Sequence, residues 1–243
     1  MTRIVNNCVA LVCLCLFWGQ SLRAADASHS EQIKWGNESV FNEEHNTLGL
    51  FSGVLGGQIV LAGGTSDDYS RWGRNAVCLS ENAGFALYED VLSKPLAYGA
   101  SITLSDGILC IGGRDSSQCY KDVFLVTMQQ GKLNVSEDWP PLPFPLSNAA
   151  GALLDNKVYL FGGRKSVSPS RLSDSFFVLD LSNKSRGWKE LPGYPGCVRE
   201  DAILVVQNNG VSPCLYLMGV QTETEEGLSS CLTDGYVYYH QMG

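Results

Sequence analysis

Histidine is scarce in this sequence: the chain of 243 residues contains only His29, His45 and His240. All three lie near an end of the chain, which argues against histidine acid–base catalysis and against a histidine metal site. No two cysteines have the Cys-x-x-Cys spacing of a metal or redox motif, and no glycine-rich phosphate-binding loop is present. We therefore expect no metal site.

Long apolar runs are also missing. The run from Cys8 to Trp18 has about 11 residues, whereas a transmembrane helix needs about 20. Arg3 precedes this run and small residues at positions 24, 25 and 27 follow it, a pattern typical of a secretory signal peptide. We predict a signal peptide over residues 1–25, an N-terminal segment over residues 26–47 and no membrane span after signal removal. We expect an exported protein, either periplasmic or secreted.

Positive charge is in the minority, with 17 Lys and Arg residues against 25 Asp and Glu residues. The formal charge of −8 becomes −10 if Arg3 and Arg23 leave with the signal peptide. This argues against nucleic acid and anionic membranes as partners. A local arginine cluster could still bind a small anion, because charges beyond a Debye length of about 8 Å are screened. Six cysteines lie outside the signal peptide, and neither their pairing in an oxidising compartment nor the oligomeric state is determined by the sequence.

The sequence does contain a repeat of about 50 residues. Diglycine pairs at positions 63–64, 112–113 and 162–163 are 49 and 50 residues apart. Each pair ends a short apolar strand, and a degenerate fourth copy of that strand ends at Gly219. A hairpin partner precedes each of these strands, a third strand follows a polar loop, and a last strand carries a tryptophan. Four strands per period predict one blade of a β-propeller.

This order of hairpin, diglycine, loop, third strand and tryptophan strand is the kelch pattern. It extends from about Leu48 to the C-terminus, so we predict an all-β, kelch-type β-propeller over residues 48–243. Trp139 and Trp188 should then pack between blades. About four blades are present, whereas kelch rings commonly have about six or seven, which indicates a fragment, an unusual small ring or one part of an assembly. The chain also ends directly after a predicted third strand, so we expect it to be a truncated, incomplete part of a ring of about six blades.

In a propeller, the innermost strand of each blade begins on the rim where the second strand ends, and both ends face one funnel. Concave sites of this kind are common binding sites of closed β architectures. The residues that open the predicted innermost strands are Gly49, Tyr98, Asn148 and Arg199, and the loops after the diglycines carry Arg114 and Arg164.

Three arginines on the rim of an acidic chain indicate an anionic ligand, because a guanidinium can bind a carboxylate through two parallel hydrogen bonds. In the alternative interpretation, each arginine pairs with a neighbouring acid. Asp115 could pair with Arg114 in this way, and Glu200 with Arg199.

Several segments resemble one kelch family, the sialic acid (N-acetylneuraminate) mutarotases, also called epimerases, in their cyclically permuted form. The resemblance is carried by GLFSGVLGGQIVLAGG from Gly49, LAYGASITLSDGILCIGG from Leu96, NAAGALLDNKVYLFGG from Asn148 and WKELPGYPGCVREDAILVV from Trp188. It implies an exported isomerase that needs no cofactor and interconverts the α and β anomers of a free sialic acid, a small anionic sugar. The implied chemistry opens the sugar ring by proton transfer and closes it on the other face.

The resemblance assigns no catalytic residue, because the sequence contains no match to the family's Gly-Glu-x-x-x-Gly-x-Arg stretch. The candidate acids near the rim are Glu200, Asp115 and Asp68, each of which could instead pair with a cation of its own loop. A kelch module that binds a glycan or a protein partner without catalysis is the alternative function, because propellers often bind without doing chemistry.

Substrate contacts come from the resemblance and from the rim together. The resemblance implies such contacts for Arg199, Tyr98 and Arg71, the last beside Trp72. With the rim residues added, the predicted substrate-binding residues are Arg199, Tyr98, Arg114, Arg164, Arg71, Asn148 and Glu200.

Overall fold

A computed structural model describes residues 48–80, 84–223 and 229–239 of the chain. The predicted signal peptide over residues 1–25 and the N-terminal segment over residues 26–47 lie outside the described residues. In the described part, no helix has the length and apolar character needed to cross a bilayer. The described elements are β-strands, apart from one short 3-10 helix at Leu181–Arg186.

The strands form antiparallel sheets arranged as the four blades of a β-propeller, which confirms the predicted all-β fold class. Blade 1 contains β1 (Phe51–Leu55), β2 (Gln58–Ala62), β3 (Ala76–Ser80) and β4 (Gly84–Tyr88). Blade 2 contains β5 (Ala100–Thr103), β6 (Ile108–Ile111), β7 (Val123–Gln129) and β8 (Lys132–Ser136).

The other two blades each carry an additional short hairpin after their second strand. Blade 3 contains β9 (Ala150–Leu154), β10 (Lys157–Phe161), β13 (Phe176–Asp180) and β14 (Lys189–Leu191), with a hairpin of β11 (Arg164–Ser166) and β12 (Arg171–Leu172). The described part of blade 4 contains β15 (Ile203–Asn208), β16 (Pro213–Met218) and β19 (Gly235–Tyr239), with a hairpin of β17 (Gln221–Glu223) and β18 (Ser229–Cys231).

The first strand of each blade lies nearest the centre of the propeller. β1 contacts β5, β5 contacts β9, and β9 contacts β15, while the remaining strands of each blade pair successively outward. This radial arrangement brings the beginnings of the four first strands close together.

Both faces of a middle blade are covered by neighbouring blades, so its second strand is apolar on both sides. In β10, Val158 and Leu160 pack against blade 2, whereas Tyr159 and Phe161 pack against blade 4. The buried side chains of the described residues form three clusters, one in each interface between consecutive blades.

The diglycines mark the close approach between the end of a second strand and the linker to the next blade. Gly112 has a φ of 63°, and a Cβ atom there would lie 2.2 Å from the carbonyl oxygen of Leu146. The N–H of Gly113 donates to that same oxygen at 2.7 Å. A glycine satisfies both the left-handed backbone and the lack of space for a side chain, which explains why the repeat carries this signature.

The last strand of blade 2 differs from the predicted tryptophan strand. That strand is β8, which ends at Ser136, so Trp139 lies beyond it in the linker. Gln130 and Gly131 both have positive φ values, of 50° and 75°, and form the tight turn that pairs β8 with β7. Trp139 and Trp188 pack in the interface between blades 2 and 3, as predicted.

None of the six described cysteines forms a disulfide, and only Cys197 and Cys231 among them are exposed. Burial raises the pKa of the Cys110 thiol, which keeps this side chain protonated and unreactive.

Candidate functional site

Two adjoining cavities, of about 260 and 280 Å³, open where the innermost strands begin. Both are lined by Tyr98, Asn148 and Asp201, and we call the two cavities together the mouth. The first cavity is also lined by Tyr69, Arg114, Arg164, Val167 and Glu200. The structure thus brings five of the seven predicted substrate-binding residues to one place: Tyr98, Arg114, Arg164, Asn148 and Glu200.

A chain of backbone hydrogen bonds connects the blades at the mouth. The N–H of Tyr98 donates to the carbonyl of Gly49 at 2.8 Å, that of Asn148 to Tyr98 at 2.7 Å, and that of Asp201 to Asn148 at 3.0 Å. All four residues have positive φ values, between 54° and 64°. They therefore occupy equivalent positions in the four blades, and the equivalent residue of blade 4 is Asp201.

The sequence predicts Arg199 at that position. The prediction is wrong by two residues, because the structure places Asp201 there. The carbonyl oxygen of Arg199 accepts from the N–H of Gly163 at 2.9 Å, just as Leu96 accepts from Gly64 and Leu146 from Gly113. Arg199 is therefore the counterpart of two buried leucines, and its own side chain has no solvent exposure.

The guanidinium of Arg199 lies inside the interface between blades 3 and 4. Its Nη1 and Nη2 atoms donate to the two carboxylate oxygens of Asp234, both at 2.9 Å, and Nε donates to the hydroxyl of Tyr194 at 2.9 Å. The rings of Tyr194 and Tyr236 lie 4.9 and 5.4 Å from the guanidinium carbon. The hydrogen bonds from Arg199 hold the pKa of Asp234 below its usual range. This placement gives no support to the prediction that Arg199 contacts a substrate.

Arg164 does lie at the mouth, but it is engaged with Glu200. Its Nε and Nη2 atoms donate to the two carboxylate oxygens of Glu200 at 2.9 and 2.5 Å, and Nη1 donates to Ser170 Oγ at 2.7 Å. Glu200 therefore pairs with the arginine of the preceding blade's loop and not with its sequence neighbour Arg199. The pair presents polar atoms to the mouth while largely cancelling its own charge.

Arg114 is held by aromatic rings instead of a carboxylate. Its guanidinium carbon lies 4.6 Å from the ring centroid of Tyr98, 5.1 Å from that of Trp72 and 6.0 Å from that of Tyr69. No ion pair joins it to an acid in the part of the chain that the structure describes. Its buried Nε atom has no hydrogen-bond partner there. Arg114 thus brings to the mouth a positive charge that forms no ion pair with a described carboxylate.

Asp68 and Asp115, in the loops after the first and second diglycines, stabilise those loops. Asp115 accepts from Ser117, Gln118 and Tyr120. Burial opposes ionisation of Asp115, but these hydrogen bonds outweigh it and lower its pKa to about 2. Hydrogen bonds from Ser66 and Ser70 likewise lower the pKa of Asp68 to about 2. Neither carboxylate pairs with Arg114, which answers the question that the sequence left open.

Arg71 lies outside the residues that line the mouth, and its side chain is exposed. Its backbone closes the loop: the carbonyl oxygen accepts from Thr65 Oγ1 at 2.8 Å, and the N–H donates to Ser66 Oγ at 3.0 Å. Of the predicted Arg71–Trp72 pair, the structure places only the tryptophan against Arg114. A substrate contact of Arg71 stays a prediction.

Asp201 is the mouth residue that the sequence analysis missed. Asn148 Nδ2 donates to its Oδ1 at 2.9 Å, and the residue is exposed to solvent. Burial is nonetheless the main effect on this carboxyl and raises the pKa of Asp201 above its ordinary value. One signal was available: a small residue follows each equivalent position of blades 2 to 4, at Gly99, Ala149 and Ala202.

A larger cavity of about 850 Å³ lies elsewhere, between blades 3 and 4. Its walls are mainly apolar and aromatic, including Tyr159, Phe176 and Tyr238. In the interface between blades 1 and 2, the last strand of the later blade contributes Leu133 and Val135. Within the described residues blade 4 contributes β15, β16 and β19 to this interface, and the cavity shares no lining residue with the mouth.

Comparisons with known proteins find similarity to kelch proteins over part of the chain. The family described as Kelch motif matches residues 145–192. A Kelch domain-containing protein of Vibrio cholerae is 32% identical over 104 residues, which cover 42% of this chain and 26% of that protein. An N-acetylneuraminate epimerase of Vibrio cholerae is 29% identical over 119 residues, covering 49% of this chain and 28% of the epimerase. One from Haemophilus influenzae is 29% identical over 103 residues, covering 42% and 24%. The matched part spans about a quarter of the length of these relatives.

Among solved structures, the one described as the structure of YjhT superposes with a TM-score of 0.62 at 13% sequence identity. The superposition covers 80% of this chain and 66% of that one. At this level of identity the likeness concerns the fold alone.

Proposed function

We propose a function from the premise that this chain is a kelch-repeat protein distantly related, over part of its length, to N-acetylneuraminate epimerase. In this proposal the chain binds a free sialic acid at the mouth and interconverts its α and β anomers. Export to the periplasm or the cell exterior, predicted from residues 1–25, belongs to the same proposal. The observation that carries it is Arg114, whose positive charge faces the mouth without a carboxylate partner among the described residues.

The composition of the mouth supports an acidic sugar as ligand. Sialic acid carries one carboxylate, which a guanidinium binds through charge-assisted hydrogen bonds. Tyr69 and Tyr98 beside Arg114 offer aromatic surface for the apolar face of a sugar ring. The Arg164–Glu200 pair offers donors and acceptors for sugar hydroxyl groups.

A kelch module that binds an acidic glycan without catalysis is the second candidate function. It is favoured by one observation, the lack of the family's Gly-Glu-x-x-x-Gly-x-Arg stretch in this sequence. The mouth would then serve recognition alone.

Proton NMR of freshly dissolved N-acetylneuraminate tests the proposal, because it follows the approach of the two anomers to equilibrium. Purified protein should accelerate this approach in proportion to its concentration. Arg114→Gln should raise the dissociation constant about 10- to 100-fold, since a hydrogen bond to a charged group contributes about 1.5–3 kcal/mol. Arg186→Gln removes an exposed arginine of the 3-10 helix and is the matched control, with unchanged binding.

Two results would count against the proposed isomerase. Binding that depends on Arg114 without any acceleration of anomer exchange would establish the non-catalytic module in its place. No saturable binding of the sugar and no acceleration would overturn both candidate functions.

A further inference from the structure

Asp201 is held in place at the mouth by two contacts with the neighbouring blade. Its backbone N–H donates to the carbonyl oxygen of Asn148 at 3.0 Å, and Asn148 Nδ2 donates to its Oδ1 at 2.9 Å. No other hydrogen bond reaches this carboxylate within residues 48–80, 84–223 and 229–239. One carboxylate oxygen is thus fixed by the protein, and the other remains available to a ligand.

The other candidate acids near the mouth already accept several hydrogen bonds from the protein. Glu200 accepts two hydrogen bonds from Arg164. Asp115 and Asp68 each accept several hydrogen bonds from their own loops. Asp201 has no ion-pair partner in the part of the chain that the structure describes, so it is the acid at the mouth best placed to exchange a proton with a bound molecule.

Two further polar atoms at the mouth lack hydrogen-bond partners among the described residues, Arg114 Nε and Asn148 Oδ1, and both are buried. Leaving such an atom unsatisfied costs about 1–3 kcal/mol, so structures rarely contain them without a reason. A guanidinium N–H requires an acceptor, such as a carboxylate, and an amide oxygen requires a donor, such as a hydroxyl. Arg114 and Asn148 both line the cavity that Tyr98 and Asp201 also line.

We infer that Asp201 is the catalytic residue that transfers the proton of the anomeric hydroxyl group, with Asn148 as its positioning residue. This inference rests on the proposed function. The Asp201 carboxylate removes the proton from the anomeric O–H, and that electron pair forms the carbonyl bond. The bond between the anomeric carbon and the ring oxygen breaks, and its electron pair goes to the ring oxygen, which takes a proton from water.

Ring closure reverses these steps on the other face of the carbonyl. After rotation about the adjacent carbon–carbon bond, the hydroxyl oxygen attacks the carbonyl carbon and releases its proton to water. The carbonyl electron pair returns to the anomeric oxygen, which takes back the proton held by Asp201. The protein and the solvent end as they began, and no cofactor enters the balance.

The charged groups around Asp201 determine the pH at which it works. Burial raises its pKa most strongly, the hydrogen bond from Asn148 lowers it, Glu200 raises it, and Arg164 and Arg114 lower it. The phenol of Tyr98, the other titratable group facing Asp201, has a pKa raised by its own burial and stays neutral in this range. The net effect on Asp201 is upward, so the acid limb of the rate profile should lie above the ordinary aspartate value of about 3.9.

The test compares anomer exchange of N-acetylneuraminate by the unmodified chain with that by Asp201→Asn between pH 4 and 8. Asp201→Asn should lower kcat at least about 100-fold, the usual contribution of a general base, while KM changes less than about threefold. Asp201→Glu should recover part of the rate. Asp106→Asn is the matched control, because it removes an exposed carboxylate from the turn between β5 and β6.

Asn148→Ala adds a readout that a purely structural role would not move. Without the hydrogen bond that lowers the pKa of Asp201, the acid limb should shift to higher pH. Exchange by Asp201→Asn within threefold of the unmodified chain would overturn the inference while leaving the proposed function standing. Absence of exchange by the unmodified chain would overturn both.

Discussion

The mouth and the interface between blades 3 and 4 each hold an arginine among aromatic rings, and the two arginines are stabilised in opposite ways. All three guanidinium nitrogens of Arg199 donate hydrogen bonds to Asp234 or Tyr194, and its side chain is fully buried. Arg114 lies against Tyr98 and Trp72 and has no acid partner in the described residues.

Position within the repeat explains this difference. Arg199 replaces a leucine that fills a blade interface in the two preceding repeats, so its charge must be neutralised inside the protein. Arg114 follows a diglycine at the rim, where solvent and a ligand can reach its neighbours. An arginine in this fold is therefore paired inside a blade interface or left without an acid partner at the rim according to its place in the blade, and its residue type alone does not decide between the two.

The largest effect should come from Arg199→Leu, which places in blade 4 the residue found at Leu96 and Leu146. It leaves the Asp234 carboxylate without its ion-pair partner, and removing one member of a buried pair costs about 3–5 kcal/mol. Because the Asp234 side chain is 36% exposed, we expect about 3 kcal/mol loss in the free energy of unfolding, measured by urea denaturation.

The double variant Arg199→Leu/Asp234→Asn sharpens this comparison. Replacing both charges should recover most of the lost free energy of unfolding, because well-packed apolar residues often substitute for a buried ion pair without loss. A double variant as unstable as the single one would show that the shape of Arg199, not its charge pairing, stabilises the interface. Sugar binding at the mouth should be unchanged in the double variant.

The second prediction is that Arg114 affects ligand affinity and not stability. Arg114→Gln should change the free energy of unfolding by less than about 1 kcal/mol, because a partly exposed cation–π contact contributes about that much. Its effect should appear in ligand affinity, with a 10- to 100-fold higher dissociation constant by fluorescence titration of Trp72 and the other tryptophans. A loss of stability equal to that of Arg199→Leu would break the proposed distinction between the two arginines.

The third prediction concerns acid stability. Hydrogen bonds from Arg199 lower the pKa of Asp234 in the folded state, so its stabilisation is complete above the unfolded value of about 3.9. It is lost as the pH falls through the lower folded value. Between pH 5 and pH 3, Arg199→Leu/Asp234→Asn should therefore lose less of its free energy of unfolding than the unmodified chain. Asp68 and Asp115, whose pKa values are about 2, are common to both proteins and cancel in the difference. Solvent screening of Asp234 keeps the difference below about 1 kcal/mol, and a larger loss in the double variant would contradict this assignment.

The fold could be predicted because the repeat signature has a steric cause. A glycine at position 112 is required by the close carbonyl of Leu146, and that requirement returns at Gly63 in blade 1 and Gly162 in blade 3. The last strand of blade 2 is harder to predict. The repeat pattern places it at Trp139, whereas the strand follows directly after the turn at Gln130 and Gly131.

The mouth was predicted in part, and the missing part has a local cause. Equivalent positions at Gly49, Tyr98 and Asn148 are 49 and 50 residues apart, but Asp201 follows Asn148 by 53 residues. The three extra residues lie in the loop after the third diglycine, which carries the β11–β12 hairpin: Phe176 follows Gly163 by 13 residues, whereas Val123 follows Gly113 by 10. This longer loop displaces the expected position to Arg199. The pairing of Arg164 with Glu200 joins residues 36 positions apart, so it depends on the side-chain directions of two neighbouring blades and leaves no trace in sequence spacing.

The smallest effect should come from Lys94, which repeats the Arg199–Asp234 arrangement at the surface. Lys94 lies in the linker before blade 2 and donates at 2.7 Å to Asp122, the residue before the third strand of that blade. Their side chains are 38% and 45% exposed, and exposed pairs contribute about 0–1 kcal/mol. Lys94→Gln should thus lower the free energy of unfolding by less than about 0.5 kcal/mol in urea, close to its exposed neighbour Lys121→Gln as the control. A loss near that of Arg199→Leu would mean that the link from linker to third strand stabilises the blade regardless of burial, and burial would no longer explain why Arg199 matters.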